Sequence, residues 1–194
     1  MPNLLTFEDV IARVRQQLPA PRSIAIDGLP CAGKTTLADQ LSEALGLPVL
    51  YIDDFVVPRD ARPPGLAPAF PFPHFRLDDF RAAVREVAGR GRARYHPFDW
   101  SRRATSPEVR EIAGPCIVEG CSVLSPELAP LFDVRFWVQS DESTMLAAQR
   151  QRDGDVDADA WRDLYIPSVE LYMRTEPWRR ADHLVAGRGI TPTV

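Results

Sequence analysis

Gly28-Leu29-Pro30-Cys31-Ala32-Gly33-Lys34-Thr35 reads G-x-x-x-x-G-K-T. In that spacing the glycines leave main-chain N–H groups free to surround phosphate oxygens. The lysine adds a compact positive charge and the threonine hydroxyl can ligate a divalent cation. Lys34 is the only lysine in the chain, and the other twenty-two of its 23 basic residues are arginine. An ammonium fits among backbone donors where a planar guanidinium fits poorly. Gly28, Cys31, Ala32, Gly33, Lys34, Thr35 and Thr36 are therefore the expected polyphosphate ligands.

Elements of the right kind flank this loop. Ser23-Ile24-Ala25-Ile26-Asp27 is a short apolar run that reads as a buried strand, and Leu37, Ala38, Leu41 and Leu45 have helical spacing. Strand, glycine loop and helix in that order aim the first-turn amides and the positive end of the helix dipole at the phosphates. Pro48 to Ile52 reads as a second strand that delivers Asp53-Asp54, and Cys116 to Val118 as another that delivers Glu119. Open parallel sheets bind ligands at these carboxyl ends. Thr35, Glu119 and Asp53 are the candidate metal ligands. Asp53 is also the candidate general base, with Lys34 neutralising developing charge. A solvated turn at Asp53-Asp54 and a strand-end ion pair at Glu119 are the plainer alternatives.

Arginine supplies the remaining candidates. Arg150 and Arg152, near the end of a helix predicted from Asp141 to Arg152, precede an acidic, glycine-containing stretch and suit a lid that closes on the polyphosphate. Arg102 and Arg103, after Phe98-Asp99-Trp100, are candidate acceptor contacts, with Phe98, Trp100 and Phe75 as stacking surfaces. A solvated charged face or ordinary loop packing would produce the same patterns. Cys31 stands where a helix N-terminus could lower a thiol pKa, although a tolerated small residue at a variable loop position is the favoured reading. His74, His96 and His183 lack metal-ligand spacing and read as ordinary surface or satisfied residues.

The rest of the chain bounds the class. One domain over residues 1–194 is expected, with an N-terminal helix within 1–20, a flap over 56–76 and a lid over 150–162. Thr6 to Asp9 has capping-box character, and the helix it starts is expected to end before Pro19. Pro58 to Pro73 holds six prolines and two phenylalanines that look exposed, so it reads as a long surface loop. Strands alternating with helices imply a mostly parallel sheet covered on both faces, an α/β three-layer sandwich. Hydrophobic content of 45%, charged content of 26% and a net charge of −4 are those of a soluble globular protein and argue against coating nucleic acid. No apolar run reaches membrane-spanning length, no export signal is evident, and three cysteines lack metal spacing; the expected compartment is the cytoplasm.

Taken in order, Gly28 to Thr36, Tyr51-Ile52-Asp53-Asp54-Phe55, Pro97 to Arg103, Ile117-Val118-Glu119-Gly120, Leu131-Phe132-Asp133 and Arg152-Asp153 resemble the uridine kinase-like family of P-loop small-molecule kinases, which includes nicotinamide riboside and pantothenate kinases. The resemblance runs from about Ser23 to Gly187. It implies the P-loop NTPase fold with five parallel strands, ATP and Mg²⁺ as cofactors, and phosphorylation of a primary hydroxyl on a small molecule. It assigns Asp53 as base, Thr35 and Glu119 to the metal and Arg152 to the lid. The family's aromatic tyrosine is here Phe98, and its base-contacting histidine is replaced by Arg102-Arg103. Its acidic ribose contact has no clean match, Asp78 or Asp79 being the nearest, and the lid carries aspartates (Asp155, Asp157, Asp159) in place of arginines. The expected acceptor is a nucleoside or nucleoside-like metabolite, with nicotinamide riboside second.

Three other classes compete with this reading. A guanine-specific Asn-Lys-x-Asp segment cannot be built, because the only asparagine is Asn3 and the only lysine is Lys34. A nucleoside-monophosphate kinase would use Arg102 and Arg103 on an anionic acceptor. A non-catalytic nucleotide-binding module would lack the base or the metal acid, and both are present. A homo-oligomer remains open.

Overall fold

The computed structural model describes residues 4–17, 20–154 and 157–191, without the side chains of Glu142, Arg152 and Asp153. Nine strands occur among them in chain order: β1 Ser23–Gly28, β2 Val49–Tyr51, β3 Arg92–Tyr95, β4 Phe98–Asp99, β5 Ala104–Thr105, β6 Arg110–Ala113, β7 Cys116–Glu119, β8 Val134–Gln139 and β9 His183–Ala186. The helices are α1 Phe7–Gln16, α2 Lys34–Leu45, α3 Leu77–Arg90, α4 Glu142–Asp153, α5 Ala158–Ala160 and α6 Ile166–Met173. A π-helical turn, Trp161–Tyr165, joins α5 to α6.

Five strands form one parallel sheet in the order β2-β7-β1-β8-β9. All six residues of β1 are buried, as a strand covered on both faces requires. Alternation divides the core. Ile24 and Ile26 face α1 and α2 with Ile117, Phe136 and Leu41, whereas Ala25, Val118 and Trp137 face the other side with Phe55, Phe80 and Tyr172. The reverse turn from β1 into the loop is tight: a Cβ on Gly28 would lie 2.4 Å from the Val138 carbonyl oxygen. Leu5 extends the sheet past β9, donating to Leu184 and accepting from Ala186.

The predicted core elements and the capping box of α1, in which Thr6 and Asp9 cap each other, are all present. Asp141 caps α4 through Thr144 N–H. Two small antiparallel pairs, β3–β6 and β4–β5, lie outside the parallel sheet. The proline-rich segment needs correction. Phe72 is 2% exposed; both Phe70 and Phe72 pack on Tyr172. The segment is stapled down by its aromatics because prolines deprive it of main-chain hydrogen bonds. His74 is likewise buried, stacked on Phe72, and its Nδ1 has no hydrogen-bond partner. Burial and the Arg62 charge push its pKa down to about 3, which keeps the ring neutral. Pro19 and Asp155 lie outside the described residues.

Candidate active site

The phosphate loop leaves α2 open at its N-terminus. Gly33 is the N-cap with φ +105°, it offers no side-chain cap, and the first turn contains no acidic residue. The helix start therefore has neither an N-cap side chain nor an acidic residue of its own first turn competing for its orphan N–H groups, which is the arrangement that receives an anion. Arg188 supports the loop from outside: its N–H donates to the Ala32 carbonyl and its Nε to the Cys31 carbonyl.

Lys34 is 7% exposed. Its Nζ donates to the Leu29 carbonyl at 2.9 Å and lies 3.9 Å from Glu119 Oε1. The Thr35 hydroxyl donates to Glu119 Oε2 at 3.3 Å. Glu119 is brought here because alternation along β7 turns Ile117 and Glu119 toward α2. Desolvation, only partly offset by Lys34 and reinforced by the Asp53 charge, raises its pKa to about 7. A buried carboxylate compensated by a single ammonium is a good ligand for a divalent cation. Among the described residues no group of three or more His, Cys, Asp or Glu could hold a metal. The donor set therefore fits Mg²⁺, which is bound by one or two carboxylates together with phosphate oxygens, better than an all-protein cage.

Asp53 and Asp54 share one 3₁₀ turn, Ile52–Phe55, directly after β2. Asp53 is exposed, and its charge reaches Glu119. Asp54 is 8% exposed, and its Oδ2 accepts from Tyr95 Oη at 2.8 Å and Arg110 Nη1 at 2.7 Å. Arg76 clamps the same turn from behind, donating to the Asp54 and His96 carbonyls. One aspartate is thus tied into the scaffold while its neighbour faces outward.

Beside Asp54 opens a cleft of about 500 Å³, lined by Pro97, Phe98, Asp99, Trp100, Glu108 and Arg110 among others. Trp100 and Val109, the large apolar residues left exposed, both line it. Trp100 stands edge-on to Phe98, ring centroids 5.0 Å apart. Half of the Arg110 side chain faces the solvent although its head is anchored on Asp54. A larger hollow, about 710 Å³, lies at the opposite end of the sheet between α1 and the starts of β8 and β9.

The structure thus brings Gly28 to Thr36, Glu119 and Asp53 together, and Phe98 lines the adjoining cleft. Arg102 and Arg103 lie on an exposed turn built by Asp99, which accepts from the N–H groups of Ser101 and Arg102. Asp78 is fully exposed in the first turn of α3 and pairs with Arg81. Arg150 is exposed on α4, and the Arg152 side chain lies outside the described residues. Sequence reasoning missed Arg110 and Tyr95. It also missed Asp27, whose fully buried carboxylate accepts four hydrogen bonds and whose pKa desolvation nonetheless raises. A lone acid ending an apolar strand was its only signal.

No family model and no curated protein matches the chain. Solved structures do. A possible uridine kinase from Bacillus stearothermophilus is similar with TM-score 0.71 and 22% identity, over 92% of this chain and 96% of that one. A proposed fructose transport system kinase from Silicibacter sp. gives TM-score 0.59 and 24% identity, over 94% and 95%. Likenesses this distant establish the fold alone, a parallel α/β sheet with a phosphate-binding loop, and none of the described helices is long and apolar enough to cross a membrane.

Proposed function

We propose that this chain is an ATP-dependent kinase that transfers the γ-phosphoryl group to a hydroxyl of a small molecule, a nucleoside or nucleoside-like compound, seated in the Phe98–Trp100–Arg110 cleft. The observation that carries the reading is the uncapped start of α2 with Lys34, Thr35 and Glu119 gathered against it and Asp53 facing them.

In this reading the loop amides and Lys34 would bind the β- and γ-phosphates, and Thr35 and Glu119 would hold Mg²⁺, with Asp53 available to it. Bound there, the ion would neutralise phosphate charge. Asp53, exposed on the turn that Arg76 fixes, accepts the proton of the acceptor hydroxyl as that oxygen bonds to the γ-phosphorus and the bond from phosphorus to the β–γ bridging oxygen breaks, releasing ADP. Lys34 stabilises the charge that grows on the transferring oxygens. Arg150 and Arg152, carried by α4, would cover the phosphates and exclude water; Arg102 and Arg103 would reach the acceptor from the rim. Asp78 is a candidate ribose contact only if the acceptor extends to α3.

Charge in the cleft bears on the acceptor. Asp54 neutralises Arg110, Asp99 is paired with Arg102, and Glu108 adds negative charge. An acceptor that already carries a phosphate is disfavoured there, which argues against a nucleoside-monophosphate kinase. The exposed indole of Trp100 and the nearby carboxylates favour nicotinamide riboside, with its cationic ring, as the second reading.

The test is a panel of nucleosides, vitamin precursors and amino-alcohols assayed for acceptor-dependent ADP release. Turnover of a neutral or cationic member supports the proposal. A binding module would give nucleotide binding and no turnover.

A further inference from the structure

By alternation Asp27 lies on the sheet face that carries Ala25 and Tyr172, away from α2. Its Oδ1 accepts from Gly28 N–H at 2.6 Å and Ser122 N–H at 3.2 Å. Its Oδ2 accepts from Leu124 N–H at 2.7 Å and the Tyr172 hydroxyl at 2.6 Å. One buried carboxylate thereby ties together the first glycine of the phosphate loop, the turn that follows Glu119, and α6. Each oxygen serves two donors, so an asparagine amide would point its N–H₂ at two donors whichever way it turned.

Tyr172 carries the connection onward. Its ring lies 4.8 Å from Phe70 and 5.9 Å from Phe72. One turn earlier Ser168 Oγ accepts from Ala69 N–H at 3.2 Å, and on the π-helical turn the Tyr165 hydroxyl accepts from Arg62 at 2.7 Å. The proline-rich segment is thus fastened along the same helix whose end grips Asp27. A short hydroxyl-to-carboxylate bond is charge-assisted, and breaking it would leave a buried charge short of a donor. A shift of Gly28 is therefore passed to Tyr172 at less cost than the bond's rupture.

We propose that Asp27 and Tyr172 are positioning residues that couple the phosphate loop to segment 58–75, so that nucleotide binding at the loop orders the segment. Neither touches the reacting atoms. The proposal rests on the nucleotide-binding reading of the loop.

Hydrogen exchange by mass spectrometry on the full chain, with and without magnesium and a non-hydrolysable ATP analogue, separates the two. In the unmodified protein the analogue should slow exchange about tenfold or more at both 28–36 and 58–75. In Tyr172→Phe the protection at 28–36 should persist, while that at 58–75 should fall to within about twofold of the nucleotide-free level. A merely structural tyrosine would lower both alike. Phe70→Leu, which loosens the far end of the connection, should behave as Tyr172→Phe does and decides the matter if that variant fails to fold. Undiminished protection of 58–75 in the variants, or no response of 58–75 in the unmodified protein, overturns the coupling and leaves nucleotide binding intact. Absence of protection at 28–36 in the unmodified protein removes the nucleotide reading and the coupling together.

Discussion

Gly120 and Ile52 are in such close approach that a Cβ on the glycine would lie 2.1 Å from Ile52 Cγ2 and 2.6 Å from its Cβ. Each of these residues is the immediate neighbour of a proposed functional acid, Glu119 on one side and Asp53 on the other. The contact sets the separation of the two carboxylates, and it explains why a glycine follows directly after the strand that carries the metal acid.

Gly120→Ala should therefore cost about 1–3 kcal/mol of stability through overpacking and lower kcat by roughly tenfold or more through misplacement of Asp53. Ile52→Ala should rescue it only in part, since alanine removes the Cγ2 at 2.1 Å but keeps the Cβ at 2.6 Å. Denaturant unfolding and steady-state rates check both statements. A stable, fully active Gly120→Ala would remove the spacer role.

The two adjacent aspartates should separate by phenotype. Asp53→Asn is expected to lower transfer by about 10²-fold or more with nucleotide affinity nearly unchanged. Asp54→Asn frees Arg110 and leaves Tyr95 with a weaker acceptor, so the acceptor KM should rise about tenfold while kcat falls less. If the two variants exchange phenotypes, the base has been assigned to the wrong carboxylate.

Arg110, Arg102 and Arg103 compete for the role of acceptor contact. Arg110→Ala should raise the acceptor KM by about tenfold, with the KM for ATP unmoved. Arg102→Ala or Arg103→Ala, on the exposed turn, should change it by less than about threefold. Initial-rate measurements with both substrates varied give the ranking, and the reverse order would place the acceptor at the rim of the cleft.

Glu119 links activity to pH. Its folded-state pKa of about 7 lies above the ordinary 4.5. Below about pH 7 the nucleotide-free protein therefore favours the protonated form, and above it the carboxylate paired with Lys34. This group's contribution to stability is complete below pH 4.5 and is lost as pH rises through 7. Metal binding demands the ionised form, so the Mg²⁺ requirement should increase as pH falls below about 7. Glu119→Gln should flatten that dependence and raise the Mg²⁺ needed at pH 8 by about tenfold or more. Thermal melts and Mg²⁺ titrations across pH 5 to 8 read both effects, and identical titrations for the two proteins would take Glu119 out of the site.

What could be read in the sequence was local. The glycine loop, the apolar runs before Asp53 and Glu119 and the capping of α1 each occupy a few consecutive residues, where spacing alone encodes geometry. Phe98 and Trp100 in the cleft were legible, but its Arg110–Asp54 wall was not, because Arg110 reaches Asp54 only through the β3–β6 pair, 56 residues away in sequence. β6 itself reads Arg-Glu-Ile-Ala, with a single buried residue, too short and too charged to announce a strand. Asp27 and Tyr172, 145 residues apart, were likewise invisible as a pair. Phe72 looked exposed because prolines surround it, whereas tertiary packing on Tyr172 outweighs that local signal.

Calorimetric titration of the purified protein with magnesium and a non-hydrolysable ATP analogue tests the central claim most directly, with Lys34→Ala alongside. Saturable one-to-one binding that the substitution weakens by about tenfold or more is the predicted result. A folded protein that yields no binding heat, or a Lys34→Ala variant that binds as tightly as its parent, would contradict it.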